Sequence, residues 1–310
     1  MLFKGGRNPG RTAGSHGFQR SQGFQAAVNL FMIALCCATL YPFAIVLGSS
    51  FQSPADIAKN GYSAIPRPVD LTAYRMVFAN PRQLANSYWT TIYTTAITAA
   101  VGLWVTLSYA YVLSRKDYAL RRALSFYVFF TMLFNGGLVP TYILFVNWLH
   151  VKNSPVALIL PLLVNAWYIL MMKGFLQEIP AALPESAKID GAGEFRIFVQ
   201  IVLPISKPAL AVIGLFMMLG SWNDWYHTLL YIDVDRYMKL QYLLLRLVKN
   251  MEFLNSAEAV QYGVVKAGMA IPLESARMAM CVVAAGPMLL VFPFFQKYFV
   301  RGIAIGSVKG

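Results

Sequence analysis

Six apolar segments, each about as long as a bilayer is thick, constrain the fold of this chain more than any other feature. A helix needs roughly 20 mostly apolar residues to cross a bilayer. Charged residues make up only 13% of the 310 residues, whereas soluble domains carry roughly 25%. The sequence therefore predicts an all-α, polytopic membrane protein with six transmembrane helices. They are predicted at residues 26–48, 87–113, 124–147, 155–174, 208–231 and 276–297.

The stretches between these segments predict the domain organisation. Residues 1–25 are polar, Gly-rich and basic, and residues 26–310 then form one six-span domain. Two long polar stretches, 49–85 and 232–275, are predicted to be loops on the same side of the membrane. The first apolar segment is too long for the core of a signal peptide, and no clear small-residue cleavage site follows it. We therefore expect it to remain as the first transmembrane helix.

The distribution of basic residues predicts the orientation. Fifteen of the 26 Lys and Arg residues fall on the side that holds both termini. Most of the others lie in the two long loops, which count least under the positive-inside rule. Both termini are therefore predicted in the cytoplasm, in a bacterial cytoplasmic membrane. The net charge of +13 would also suit nucleic acid, but topology and contact with lipid explain short basic loops better, so no nucleic-acid partner is expected.

Residues 184–204, PESAKIDGAGEFRIFVQIVLP, interrupt the apolar pattern between the fourth and fifth segments. Pro184 suits the first position of a helix, and Glu185 suits the positive end of the helix dipole. Asp190 and Gly191 then predict a stop, because glycine readily takes the left-handed conformation that caps helices.

A second short helix is predicted from Ala192 to Pro204. Phe195 and Phe198 begin an apolar stripe at helical spacing, which continues through Val199 and Val202. The two helices together predict a helix-turn-helix on the membrane surface, with an apolar face too large to leave in water. The alternative is an interfacial helix that only lies on lipid.

This segment resembles the EAA signature of permease subunits of binding-protein-dependent ABC importers. The signature reads E-A-A, three residues, G, nine residues, I-x-L-P, and the spacing matches without a gap. Its only departure is Ser186 in place of Ala, and Ser is also small. The chain as a whole is most similar to the maltose-type carbohydrate permeases. The matching residues are Glu185, Ala187, Gly191, Ile201, Leu203 and Pro204.

The resemblance implies the type I importer, or MetI-like, fold, in which residues 184–204, here called the coupling segment, dock into a cleft of an ATP-hydrolysing subunit. Phe195 and Phe198 are expected to fill that cleft, and Glu185 to pair with a basic residue of the subunit.

The same resemblance implies two such ATPase subunits, which bind ATP and Mg²⁺, and an extracytoplasmic solute-binding protein. It also implies a second homologous permease, a different polypeptide that forms a heterodimer with this chain. This chain itself would bind no cofactor. In the family, the loop matching 232–275 reaches into the binding protein. Gly263 and Gly268 mark its expected tip, and the alternative is a solvent-facing cap over the pore.

A few polar residues inside the predicted spans are candidates for the substrate pathway. Asn135, before two glycines, and Asn165, after Pro161, are candidates for bends that face the pore in the third and fourth spans, with helix packing as the alternative. Near the end of the fifth span lie Trp222, Asn223 and Asp224, where a Trp would be available to stack on a sugar ring. The alternative, which we prefer, is an interfacial belt whose polar groups reach water. For the threonine-rich side of the second span we expect hydrogen bonding between helices.

Other functions lack support in the sequence. A secondary transporter predicts internal repeats and buried charges near the membrane centre, and neither is evident. An enzyme or metal site predicts clustered polar ligands, but the histidines are scattered and the cysteines are expected to be small core residues. An importer of amino acids remains the alternative within the resembled class. Resemblance favours oligosaccharides, including uronate types such as alginate. The scattered histidines are His16, His150 and His227, and the cysteines are Cys36, Cys37 and Cys281.

Overall fold

The computed structural model describes residues 22–264 and 272–306, and in this part of the chain every regular element is helical. Three helices are long and apolar enough to cross a membrane: Gly23–Ser49, Pro81–Ser114 and Leu273–Gln296. Three further pairs of helices pass the same test together but are bent by 110°, 45° and 76°. If each bent pair is one span, the total reaches the six that the sequence predicts.

The helices follow one another along the chain with short connections. The first half comprises α1 (Gln22–Ser49), α2 (Pro54–Asn60), α3 (Thr72–Val77), α4 (Pro81–Ser114), α5 (Arg121–Leu133), α6 (Leu138–Ile143), α7 (Val156–Leu163) and α8 (Ala166–Gln177). The second half comprises α9 (Ala182–Ile189), α10 (Glu194–Ile197), α11 (Leu203–Ile205), α12 (Lys207–Trp222), α13 (Tyr226–Tyr231), α14 (Leu240–Leu254), α15 (Ala257–Gln261) and α16 (Leu273–Gly306). Two π-helical turns, Leu144–Trp148 and Phe198–Val202, and one 3₁₀ turn, Asp235–Tyr237, complete the list.

The predicted bends in the third and fourth spans are present. Asn135 accepts a hydrogen bond from the Gly137 amide, and Gly137 takes φ +88°, so the chain turns by 110° between α5 and α6. Asn165 caps α8 by accepting from the Trp167 amide, at the 45° bend between α7 and α8. In both places a side-chain amide replaces a hydrogen bond that the broken helix cannot make.

Helix α4 is the centre of the structure, and its threonine-rich side is buried against other helices. Thr91 Oγ1 accepts a hydrogen bond from the Leu240 amide, and Thr95 Oγ1 donates to Ser221 Oγ. This confirms the expected bonding between helices, and the hydroxyls of Thr91 and Thr94 also donate to carbonyls of α4 itself. Two apolar cores lie at opposite ends of α4, one around Leu84 and Leu240, the other around Leu107 and Phe198.

Both long segments predicted as loops contain helices. Segment 49–85 contains α2, α3 and the start of α4, and segment 232–275 contains α14 and α15. Helix α14 is held in the core by Leu240, Leu243 and Leu244. Their spacing, continued by Leu247 and Met251, is the i, i+3, i+4 pattern of an amphipathic helix. That signal was readable in the sequence, and the prediction of a plain polar loop was wrong.

The fifth predicted span, 208–231, is not one continuous helix. Helix α12 ends at Trp222, and α13 starts again at Tyr226. The break follows from polar Asn223 and Asp224, whose side chains bond to the backbone at Leu219 and His227 respectively. Such local bonds compete with a continuous helix.

Helix α1 stands apart, because none of the side chains in its apolar window is buried by the rest of the chain. Among the long helices, its main packing partner is α16. All three cysteines are exposed on these two helices, so the prediction that they are small core residues was wrong. An apolar surface of this size needs lipid or another subunit to cover it.

Candidate functional site

The coupling segment forms the predicted helix-turn-helix. Helix α9 ends in a Schellman motif, in which the Gly191 amide donates to the Lys188 carbonyl and the Ala192 amide donates to the Ala187 carbonyl. Gly191 takes φ +80°, a conformation that favours glycine. Asp190 is the C-cap residue, and both Asp190 and Gly191 are exposed at the tip of the turn. The predicted turn is therefore present.

The helix boundaries differ from the prediction at both ends. Helix α9 begins at Ala182, so Pro184 lies in the first turn rather than at its first residue. Proline is tolerated there because the first amides of a helix have no partner within it. The second helix begins at Glu194 rather than Ala192, after Gly193 in extended conformation.

Pro204 does not end the second helix. Leu203 has helical angles (φ −58°, ψ −48°), and α11 continues to Ile205. A π-helical turn, Phe198–Val202, directly precedes the proline. We infer that this wider turn gives the proline ring the room that an α-helical turn would deny. The chain then bends by 76° into α12.

The apolar stripe of the second helix faces two directions. Phe198 is 6% exposed and packs between the rings of Trp104 and Tyr111 of α4, with centroid separations of 5.5 and 5.3 Å. The prediction that Phe198 fills the cleft of a partner subunit was therefore wrong. Ala187, Ala192, Ile201 and Leu203 are half-buried against the same core. They hold the segment to its own chain.

Two large apolar side chains remain uncovered on the coupling segment. Ile189 is 87% exposed and Phe195 is 73% exposed, on either side of the Gly191 turn. Phe195 was predicted to face a partner, whereas Ile189 was missed. Its signal in the sequence was its position as the last helical residue before the cap formed by Asp190 and Gly191. Glu185 and Ser186 are exposed on α9 as well.

Ion pairs fix the coupling segment to the end of α4. Glu194 Oε1 lies 2.5 Å from Lys188 Nζ and 3.3 Å from Arg115 Nη2, and Glu194 Oε2 accepts from the Tyr111 hydroxyl at 2.7 Å. Asp117 pairs with the same two cations at 2.8 and 3.2 Å. The turn between α9 and α10 is thus joined to α4 by five charged or hydroxyl groups.

The charges in this network favour its ionised state. Burial would raise the pKa of Glu194, but hydrogen bonds from Lys188 and Tyr111 and the charge of Arg115 outweigh it, so this pKa lies below its usual value. The hydrogen bond from Arg115 holds the pKa of Asp117 well below its usual range. For carboxylates with lowered pKa values, the stabilisation is complete at neutral pH and is lost only as the pH falls through those values.

Comparison with known proteins identifies the family of the chain. Residues 27–305 match the family described as "Binding-protein-dependent transport system inner membrane component". The chain belongs to this family. It is therefore a transport subunit in the inner membrane rather than an enzyme, and it works with a solute-binding protein and an ATPase.

Individual relatives cover nearly the whole permease. It is 36% identical over 295 residues to Protein LplC of Bacillus subtilis, with 95% of this chain and 98% of the relative covered. It is 38% identical over 281 residues to the polygalacturonan/rhamnogalacturonan transport system permease protein YtcP of the same organism, covering 91% and 96%. A subunit of a crystallised bacterial ABC transporter involved in import of the acidic polysaccharide alginate matches with TM-score 0.72 and 27% identity, covering 91% and 99%.

Replacing Gly191 tests whether the permease needs this turn geometry. We expect Gly191→Val to separate ATP hydrolysis from transport, because a β-branched residue at φ +80° costs at least about 1–2 kcal/mol. Gly191→Asn should keep most coupling, because Asn tolerates this conformation. The measurement is the ratio of ATP hydrolysed to solute imported in proteoliposomes. A steric clash is not expected, because no atom lies within 4 Å of the added Cβ. Equal losses of coupling in both variants would therefore contradict a cause in the backbone conformation.

Replacing Glu194 tests the ion-pair network of the permease. In Glu194→Gln, Lys188 keeps Asp117 as its acidic partner. The free energy that holds the turn to α4 should fall by about 1 kcal/mol or less, since these groups are half exposed. We expect a two- to fivefold fall in transport per ATP, at unchanged expression. Glu178→Gln, outside the network, is the matched control. A change of the same size in both variants would contradict the assignment.

Trp222 was a candidate for the substrate pathway of the permease, and this prediction was wrong. Its ring is 4% exposed in the core, and Nε1 donates to the Ala284 carbonyl at 3.0 Å, so no face is free for a sugar. Asn223 is exposed and accepts from the Gln241 amide at 3.2 Å. Asn135 and Asn165 are exposed at their bends.

The interfacial alternative required the side chain of Asp224 to reach water. In the structure of the permease Asp224 is buried instead. It is 8% exposed, and its carboxylate lies 2.8 Å from His227 Nδ1 and 3.4 Å from Nζ of Lys239. Lys239 is fully buried and also donates to the Ser221 carbonyl. This pair was not predicted, because Lys239 lies in the stretch 232–275 that was expected to be a polar loop.

The stretch predicted to contact the binding protein lies only partly within the described residues. Gly263 has φ +68° just after α15, and Gly268 lies outside the described residues. Among the residues that the structure describes, no group of three or more His, Cys, Asp or Glu side chains is placed to hold a metal ion.

Proposed function

We propose that this permease is one half of the membrane pathway of an ATP-driven importer of oligosaccharides, and that its coupling segment is the site of ATPase docking. The observation that carries the proposal is the exposed pair Ile189 and Phe195 on a turn that ion pairs hold to α4. Two large apolar side chains held in water are costly unless a partner covers them. Glu185, exposed beside them, would pair with a basic group on that partner.

The orientation follows from where ATP is available. The coupling segment, and with it both termini, would face the cytoplasm of a bacterium, in agreement with the basic residues of the short loops. Two ATPase subunits would bind ATP and Mg²⁺, and this chain would bind neither. One coupling segment serves one ATPase subunit, so a second, similar permease is required. The uncovered helix α1 supports such a partner or a lipid contact.

A saccharide cargo is supported by the relatives. YtcP is named for polygalacturonan and rhamnogalacturonan, and the crystallised transporter for alginate. Both names describe acidic saccharides, so we propose an oligosaccharide that contains uronate units. The binding protein would deliver it to the side opposite the coupling segment, where the stretch with Gly263 and Gly268 would contact that protein.

The test is transport by the complete complex. In proteoliposomes that contain this chain, its partner permease, the ATPase and the binding protein, we expect ATP-dependent uptake of a galacturonate oligosaccharide. Neutral galacto-oligosaccharides serve as the comparison cargo. Uptake of an amino acid with no uptake of any saccharide would favour the amino-acid alternative and contradict the proposal.

A further inference from the structure

A polar cavity opens at the end of α4 opposite the coupling segment. It has a volume of about 740 Å³, which is within the range of roughly 300–1,000 Å³ found for small-molecule sites. The start of α4 forms one wall, and the 3₁₀ turn Asp235–Tyr237 forms the other. From Thr90 in this wall to Tyr111 beside the coupling segment, α4 rises by about 30 Å, roughly the thickness of the apolar part of a bilayer.

Two arginines in the cavity wall have no acidic partner in the part of the chain that the structure describes. Arg82 and Arg236 line the cavity, and within the described residues neither has a carboxylate at ion-pair distance. Asp235 also lines the cavity, but its charge is already paired with Arg246 at 3.1 Å. Arg236 packs against the ring of Tyr237 at 5.4 Å. The wall therefore presents two positive groups that a ligand can neutralise.

The remaining lining suits the other parts of a sugar acid. Gln83 and Asn86 offer amides, which both donate and accept hydrogen bonds as sugar hydroxyls require. Trp89, 66% exposed, and Tyr93 supply aromatic faces for the apolar side of a sugar ring. Guanidinium groups bind carboxylates with paired hydrogen bonds, which a lysine does not match.

The exposed side of α4 continues from this cavity towards the coupling segment. Trp89 is followed on the same helix by four side chains that are each more than 40% exposed: Ile92, Ile97, Val101 and Trp104. A cargo bound in the cavity therefore stands at the head of a partly exposed helix face. A second permease facing this side of α4 would enclose a path there.

We propose that this cavity is an entry site for an anionic saccharide, with Arg82 and Arg236 binding its carboxylates and Trp89 its ring. This inference rests on the proposed function and assigns residues to its first step. The competing occupant, an acidic loop of the binding protein, would use the arginines but would not need the amides and the Trp face around them.

The test compares two double variants in the complete complex. Arg82→Gln with Arg236→Gln removes both cavity charges, and Arg67→Gln with Arg75→Gln removes two exposed arginines elsewhere in segment 49–85. With sugar-loaded binding protein, we expect uptake of trigalacturonate by the cavity variant to fall at least about tenfold, and the control to stay within twofold of wild type. The concentration of binding protein that half-saturates ATPase stimulation should not change. Trp89→Leu should also reduce uptake, without affecting copurification of the ATPase.

The possible results separate the two claims. If the wild-type complex imports no saccharide, the proposed function fails. If the wild type imports trigalacturonate and both double variants match it, the cavity assignment alone is overturned. It is also overturned if the cavity variant raises the half-saturating concentration of sugar-free binding protein, because the arginines would then dock a protein.

Discussion

Replacing Ile189 and Phe195 together by alanine is expected to raise the Kd of the permease for its ATPase subunit by two to four orders of magnitude. Each side chain is more than two-thirds exposed in this chain, and burying a side chain of this size contributes about 1.5–3 kcal/mol. The loss of both corresponds to about 3–6 kcal/mol, or roughly two to four powers of ten in affinity. The Kd can be measured with the permease pair in nanodiscs and the purified ATPase.

A matched pair of exposed apolar residues controls for general effects of this double variant. Ile65 and Val69 are 66% and 64% exposed and belong to segment 49–85, at the opposite end of the protein. Ile65→Ala with Val69→Ala should leave the affinity for the ATPase unchanged. If Ile189→Ala with Phe195→Ala binds the ATPase as tightly as this control, these two side chains are not the docking surface.

The second large effect is expected at the buried pair between Lys239 and Asp224. Lys239→Met leaves the Asp224 carboxylate buried with only His227 beside it. Removing one partner of a buried pair costs about 3–5 kcal/mol, because the other charge stays desolvated and unpaired. We therefore expect a clear fall in the thermal midpoint of the purified permease, with α14 loosened from α12.

The double variant Lys239→Met with Asp224→Leu separates charge from shape. Apolar groups of similar volume often replace a buried pair at little cost, so the double variant should regain most of the stability that Lys239→Met loses. Equal destabilisation in both variants, or none in Lys239→Met, would contradict the assigned role of the pair.

The spans and the turn could be predicted from the sequence because local physics decides them. A bilayer-spanning helix must be apolar over a fixed length, and α1, α4 and α16 satisfy this by composition alone. Gly191 marks a left-handed turn because few other residues occupy that conformation readily. Asn135 and Asn165 predicted bends because their amides bond to the backbone locally.

The direction of individual side chains could not be predicted, because distant residues decide it. Phe198 is buried because Trp104 and Tyr111, about ninety positions earlier, form a pocket over it. Lys239 is buried beside Asp224, which lies in the break between α12 and α13, fifteen positions earlier in the chain. Neither neighbour can be inferred from spacing along the chain, so an apolar stripe predicts a face but not what covers it.

Labelling of a single cysteine on the coupling segment tests the central claim most directly. Ile189→Cys is introduced after Cys36, Cys37 and Cys281 are replaced by serine, and a membrane-impermeant maleimide is added to spheroplasts or to inverted vesicles. The account predicts no labelling in spheroplasts and labelling in inverted vesicles only after the ATPase has been stripped away. Labelling in spheroplasts, or equal labelling of inverted vesicles with and without the ATPase, would contradict it.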